Sequence, residues 1–204
     1  MAKLDICLAG VGGQGSLTAS RILGEVAALA GLNVLVGEIH GMAQRGGIVE
    51  STVRIGDGVH GPMIRDRGAD VLLGFEPVET VRALGKAGAH TLVVTNTRPI
   101  VPFTVSLQGE EYPEVVDLLD RIREVSSKLV ELDASQLAQE AGSAQALNTV
   151  MLGVLAGCRD LPFDVDLLWQ GIETSVPQRH LEANRKAFEG GLQHGREARA
   201  RWGS

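Results

Sequence analysis

Two glycine-rich stretches hold the residues of this chain that could do chemistry. The first is Gly10-Val11-Gly12-Gly13-Gln14-Gly15, which has the spacing Gly-x-Gly-x-x-Gly with an apolar run before it and a helical pattern after it. In such a strand–turn–helix the first glycine permits a tight turn. The second lets backbone approach a ligand, and the third lets helix and strand pack closely. The helix N-terminus behind the turn offers N–H groups and positive partial charge to a phosphate or carboxylate. A dinucleotide site also asks for an acid near the end of the second strand, about twenty residues on. Glu38 comes past Gly37 and reads as already in the next loop, so the match to NAD or FAD binding is imperfect. The stretch reads first as a binding or interface loop without a dinucleotide.

The second stretch is His40-Gly41-Met42-Ala43-Gln44-Arg45-Gly46-Gly47, preceded by Glu38-Ile39. It joins two strand patterns, and loops at strand ends are where α/β proteins place their sites. Arg45, flanked by Gly46 and Gly47, can present its guanidinium to a phosphate or carboxylate with little hindrance. A structural ion pair is the competing role. His40 and Gln44 could hydrogen-bond a substrate or shape the loop, and catalytic acid–base duty for His40 stands beside a scaffolding role. A single histidine with no second ligand nearby predicts no metal site. Glu76 follows another strand pattern, where it is either a ligand contact or a helix N-terminal acid suited to the dipole. Asn96 and Arg98 end the next strand pattern and are expected to line the same crevice.

The elements that must hold these residues alternate. Ile6–Ala9 reads as a buried strand and Ser16–Ala30 as a helix with Gly31 at its C-terminal cap. Asn33–Val36 reads as the second strand of a parallel βαβ unit. Ile48–Ile55 is an alternating strand, and Gly56-Asp57-Gly58 a turn from which the segment to Pro62 returns as a hairpin. Val71–Gly74, Leu92–Val94 and Leu129–Leu132 read as further strands. Helices are expected over Pro77–Leu84, Tyr112–Val125, Ala134–Ala141 and Ala144–Arg159. Two more fill Val165–Arg201, parted near Pro177. The expected fold is α/β: one Rossmann-like domain over residues 1–204, a doubly wound, mostly parallel sheet with helices on both faces and a helical C-terminal segment.

Composition narrows the function. A net charge of −6 argues against nucleic acid as the main partner. The basic run Arg196–Arg201 reads as a solvated helix end. Cys7 and Cys158 lie apart in apolar segments, which predicts no disulfide framework and a cytoplasmic setting, and two isolated thiols cannot supply the four ligands of an iron–sulfur cluster. No apolar run approaches bilayer length, so no membrane is expected.

Several segments then occur together in order and spacing: the glycine turn at 10–15, Ala19-Ser20-Arg21-Ile22-Leu23-Gly24-Glu25, and His40 to Gly47. Ala69-Asp70-Val71-Leu72-Leu73-Gly74-Phe75-Glu76-Pro77, Asn96-Thr97-Arg98-Pro99-Ile100, Asn148-Thr149-Val150-Met151-Leu152-Gly153 and Val176-Pro177 complete the set. The chain resembles the gamma-type subunits of 2-oxoacid:ferredoxin oxidoreductases, and most of all the small subunit of the indolepyruvate type. The resemblance implies a complex that oxidatively decarboxylates an aryl 2-oxoacid to an acyl-CoA. It places thiamine diphosphate, magnesium and iron–sulfur clusters on a large (alpha) subunit, with coenzyme A as co-substrate and ferredoxin reached through that subunit. No cofactor is then expected in this chain, which alone would be inactive and could pair with itself. Gly10, Gly12, Gly13, Gln14, Gly15, Gln44, Arg45, Gly46, Gly47, Glu76, Asn96 and Arg98 are the candidate cofactor-facing residues, and His40 and Arg45 the catalytic candidates. Gly56-Asp57-Gly58 imitates the start of a thiamine diphosphate motif, but no Asn-Asn pair follows.

Two other classes compete. A self-sufficient NAD(P)-dependent Rossmann oxidoreductase would bind its cofactor unaided. A nucleotide-binding regulatory module would hold a ligand in the glycine loop but keep no lasting large partner.

Overall fold

A computed structural model describes residues 3–40, 47–100 and 111–202, with His40 described in its backbone only. Six strands form one sheet in the order β2-β3-β1-β4-β5-β6. They are β1 (Leu4–Val11), β2 (Val34–His40), β3 (Ile48–Ile55), β4 (Val71–Gly74), β5 (Leu92–Asn96) and β6 (Lys128–Leu132). β1, β4, β5 and β6 pair in parallel, whereas β3 runs antiparallel to both β1 and β2. The mostly parallel α/β sheet expected from the alternation is therefore present.

Helices cover both faces. α1 (Ser16–Leu29), α5 (Leu147–Cys158), α6 (Val165–Ser175) and α7 (Leu181–Trp202) contribute to one core, with Ile6, Leu8, Val53, Leu73 and Val94 from the sheet. On the other face the turn after α2 (Pro77–Arg82) and α3 (Val115–Val125) pack Ala83, Leu119 and Ile122 against Cys7, Ala9, Leu72 and Val93. α4 (Ala134–Glu140) follows β6 and packs against α5 and α7 in the first core. α5 is apolar nearly all round because it is buried on every side, as the periodicity of Leu147, Val150, Met151, Val154 and Leu155 requires. It meets α7 through glycines: a Cβ on Gly153, Gly157, Gly191 or Gly195 would stand 2.3–2.4 Å from a carbonyl oxygen of the other helix. The basic end of α7 is tied down where Arg199 donates to both oxygens of Asp160 at 2.7 Å.

Four expectations are corrected. β1 continues to Val11, so Gly10 lies inside the strand opposite Val49 and makes no turn. β2 continues to His40, so Glu38 lies in the strand and not in the next loop. β1 and β2 are parallel, as expected, but β3 sits between them. Only seven residues join β2 to β3, too few for a crossover, so β3 must return antiparallel beside β2. After Gly56-Asp57-Gly58 the chain does return, but as no strand. Side chains hold it instead: Thr52 Oγ1 donates to the Pro62 carbonyl at 2.7 Å, and Arg54 Nη1 to those of Gly61 and Met63 at 2.7 and 2.8 Å. The remaining differences are at element ends, where Ala83–Lys86 and Ala144–Ala146 are 3-10 turns and α3 starts at Val115.

Candidate functional site

The parallel strands end together at one edge, and both glycine-rich stretches arrive there. Their described residues touch: the Gly12 N–H donates to the Gly47 carbonyl at 2.9 Å. Gly12 thus engages its amide with the second glycine-rich stretch at Gly47. Gly13 and Gly15 have φ of 106° and 82°, values that L side chains rarely adopt, and nothing lies near the missing Cβ of Gly13. Gly15 permits close packing as the pattern requires, yet its neighbour is Asn148 at the start of α5, 3.1 Å from where a Cβ would be. α1 then begins with no side-chain cap and no acid in its first turn, which leaves its positive end facing this edge.

Gln14 is buried and fastens the turn. Its Oε1 accepts from the Val11 N–H at 2.7 Å, and its Nε2 donates to the Phe75 carbonyl at 2.7 Å. The bare Cα of Gly10 makes room, since a Cβ there would be 2.9 Å from both Gln14 Oε1 and Phe75 Cβ. Asn96 Nδ2 donates to the same Phe75 carbonyl at 3.0 Å, and Asn96 Oδ1 accepts from the Ala134 N–H at 3.0 Å. Arg98 reaches the carboxylate of Asp133, 2.8 Å from Nη2, while Asp133 Oδ1 also caps α4 through Gln136 N–H at 2.8 Å. That pair holds the Arg98 guanidinium pKa up and the Asp133 carboxyl down, although partial burial opposes the latter.

Glu76 is fully buried and is the N-cap of α2. Its Oε2 accepts from the Glu79 N–H at 3.0 Å, and its Oε1 accepts from the Ile100 N–H at 3.3 Å and from the Tyr112 hydroxyl. Burial first, then the Glu76 carboxylate, pushes the Tyr112 phenol far up, so Tyr112 stays a donor. Sequence reasoning placed Gln14, Glu76, Asn96 and Arg98 at one edge, and the structure brings them there. It engages each with other residues of the same chain. Tyr112, Asp133 and Asn148 were missed in these roles. An Asp three residues before Gln136 at a helix start was a legible cap signal; the other two needed the tertiary fold. Gln44, Arg45 and Gly46 lie outside the described residues.

Glu79 adds a pH effect. Burial raises its carboxyl above the ordinary 4.5, against the opposing Arg82 cation, and Oε2 has no hydrogen-bond partner among the described residues. A raised folded-state value gives stability that is full below 4.5 and is lost as pH rises through the folded value. Glu79→Gln is therefore expected to lose less stability than the parent chain between pH 4.5 and neutrality. Urea midpoints across that range check this; parallel curves for the two proteins would refute it.

Neither cysteine fits a cluster. Cys7 and Cys158 are buried in the two separate cores, and burial pushes both thiols up to about 12. Among the described residues no three His, Cys, Asp or Glu side chains come together to hold a metal ion. Gly56-Asp57-Gly58 follows the end of β3 that pairs with Leu4, at the sheet edge away from the glycine turns. Among the described residues no helix is long and apolar enough to cross a membrane.

The dinucleotide pattern is disturbed in a specific way. β3 takes the place beside β1 that β2 would hold, which moves Glu38 about one strand spacing, ~5 Å, further from the glycine turn. Glu38 also accepts from Arg21 Nε at 3.2 Å.

Residues 5–194 match the family model described as pyruvate ferredoxin/flavodoxin oxidoreductase. The chain belongs to this family. It is 41% identical over 189 residues to indolepyruvate oxidoreductase subunit IorB of Archaeoglobus fulgidus, covering 93% of this chain and 94% of that one. The protein of the same name from Pyrococcus horikoshii is 40% identical, over 97% of this chain and 98% of that one. The common gamma subunit of pyruvate/ketoisovalerate oxidoreductases from Pyrococcus abyssi is 26% identical over 91% and 96%. Among solved structures, the gamma subunit of a keto/oxoacid ferredoxin oxidoreductase from Geobacter sulfurreducens shares the fold with a TM-score of 0.67 at 21% identity, covering 95% of this chain and 99% of that one. The 2-oxoglutarate:ferredoxin oxidoreductase of Magnetococcus marinus matches at 0.73 and 20% identity, over 97% of this chain but 32% of that one.

Proposed function

We propose that this chain is the small subunit of an indolepyruvate-type 2-oxoacid:ferredoxin oxidoreductase. Full-length identity of about 40% to subunits of that name, against 26% to a gamma subunit named for pyruvate and ketoisovalerate, carries the reading. The substrate is an aryl 2-oxoacid, and the product an acyl-CoA. Thiamine diphosphate with its magnesium supplies the decarboxylation chemistry, and iron–sulfur clusters the electron path to ferredoxin, both on a larger subunit. This chain's part is shape and charge. The glycine turn at 12–15, hydrogen-bonded through Gly12 to Gly47 and backed by the positive end of α1, makes a backbone-lined edge that a reaction centre on another polypeptide can approach closely. Gln14, Asn96 and the Arg98–Asp133 pair keep that edge rigid. His40, Gln44 and Arg45 belong to the second glycine-rich stretch of the sequence, and Arg45 meets coenzyme A, the substrate carboxylate or an acid of the larger subunit.

Co-expression with the larger subunit tests this. The pair should co-purify and, with coenzyme A, reduce a viologen dye at the expense of indolepyruvate, while the small chain alone does neither. A lone chain that oxidises a 2-oxoacid, or that carries a stoichiometric flavin or nicotinamide, would overturn it. Arg45→Ala should assemble normally and lose acyl-CoA formation by about tenfold, the size of one charged hydrogen bond. Full activity in an intact complex would remove Arg45 from the site.

A further inference from the structure

Opposite the glycine turn, where β5 and β6 begin, a cleft of about 510 Å³ opens at the C-terminal ends of α5 and α7. Its volume is that of a small-ligand site. Leu92, Cys158 and Trp202 give it an apolar wall, and all three belong to the main core or pack against it. The rim is basic, and most of its donors are unengaged. Arg199 is held by Asp160, donating to both carboxylate oxygens at 2.7 Å. His90, just before β5, and Lys128, the first residue of β6, have no side-chain hydrogen bond or ion pair among the described residues. Arg159, just after α5, stands 3.9 Å from Asp70, whose carboxylate already accepts the Asp5 N–H at 2.8 Å.

We propose that this cleft binds a small organic phosphate, with the phosphate on His90, Lys128 and Arg159 and a planar apolar group against Leu92 and Trp202. Charge selects an anion. The chain as a whole carries −6, yet here Lys128, Arg159 and Arg199 outweigh Asp160. They also outweigh the carbonyl ends of α5 and α7, which bring about half a negative unit each. The donors select phosphate over carboxylate. Three unengaged side chains reach the cleft from three different elements, and a phosphate ester presents three acceptor oxygens where a carboxylate presents two. The planar fork of Arg159 can span two of those oxygens, and the Lys128 ammonium meets a third as a point charge. His90 donates an N–H whether or not it is protonated. The wall selects an organic ester over the bare ion, because an aromatic ring laid on Trp202 leaves water on both sides of the contact. A mononucleotide is a simple molecule with both parts.

This cleft lies at the other end of the sheet from the glycine turn and is independent of the activity proposed above. Calorimetric titration of the full chain with adenosine 5′-monophosphate tests it. One saturable site per chain is expected. Lys128→Gln and Arg159→Gln should each weaken binding by about tenfold, the size of one charged hydrogen bond. Lys128 is exposed, so its variant should keep the parent's thermal unfolding curve in the absence of nucleotide. Trp202→Ala should weaken the nucleotide by about tenfold and leave inorganic phosphate unaffected, since only the ester carries a ring. No saturable binding at millimolar nucleotide overturns the proposal. So does full binding by either charge variant, which would put the nucleotide elsewhere on the chain. Tighter binding of indole-3-acetate than of the nucleotide would make the cleft a carboxylate site and overturn the assignment to phosphate.

Discussion

Replacing Glu76 with alanine is expected to cost about 3–5 kcal/mol of stability, since buried donors would be stranded and a helix cap lost. Three donors converge on this one carboxylate: the Glu79 and Ile100 N–H groups and the Tyr112 hydroxyl. Glu is an uncommon N-cap. Here its longer side chain lets one oxygen cap α2 while the other gathers the chain after β5 and the residue leading into α3. Urea unfolding of Glu76→Ala measures the whole effect. Tyr112→Phe removes one donor together with its need, and should cost only about 1 kcal/mol. Equal losses for the two variants would show that Tyr112, not the cap, carries the energy.

Two neighbouring glycines of α7 should respond to the same substitution with opposite sign. Gly190→Ala meets nothing within 4 Å and gains helix propensity, so it should stabilise by about 0.5–1 kcal/mol. Gly191→Ala gains the same propensity, but its Cβ would lie 2.3 Å from the Val150 carbonyl oxygen of α5. Backbone cannot rotate aside as a side chain does, and α5 is held by the sheet behind it. The helices must part, and the packing lost should exceed the gain, for a net cost of about 3 kcal/mol. Chemical denaturation of the two variants side by side checks both signs. A stabilised Gly191→Ala would mean that the helices do not approach this closely in solution.

Most of the local structure was legible because periodicity and punctuation agree in this chain. Ile48–Ile55 alternates and is a strand over those same residues, and Ser16–Leu29 runs from Gly15 to a helix end at Gly31 with φ 73°. The failures share a cause. Gly10 and Glu38 were assigned to loops because glycine and charge punctuate strands, yet both lie in strands that neighbouring segments stabilise. Gly10 is paired with Val49, and Glu38 is satisfied by Arg21. The missing return strand after Gly58 was beyond pattern reading, because side chains of Thr52 and Arg54, not backbone ladders, hold that segment.

The sequence by itself determined the alternation of strand and helix, the family to which the chain belongs, and the placing of the glycine turn, Glu76 and Asn96 at one edge, because these follow from local periodicity and short motifs. Only the tertiary structure decided which strand stands beside β1, that Gln14 and Asn96 share the Phe75 carbonyl, and that Glu76 gathers three donors. Those choices depend on partners up to 61 residues away, and no local pattern records which buried polar group a distant one must satisfy.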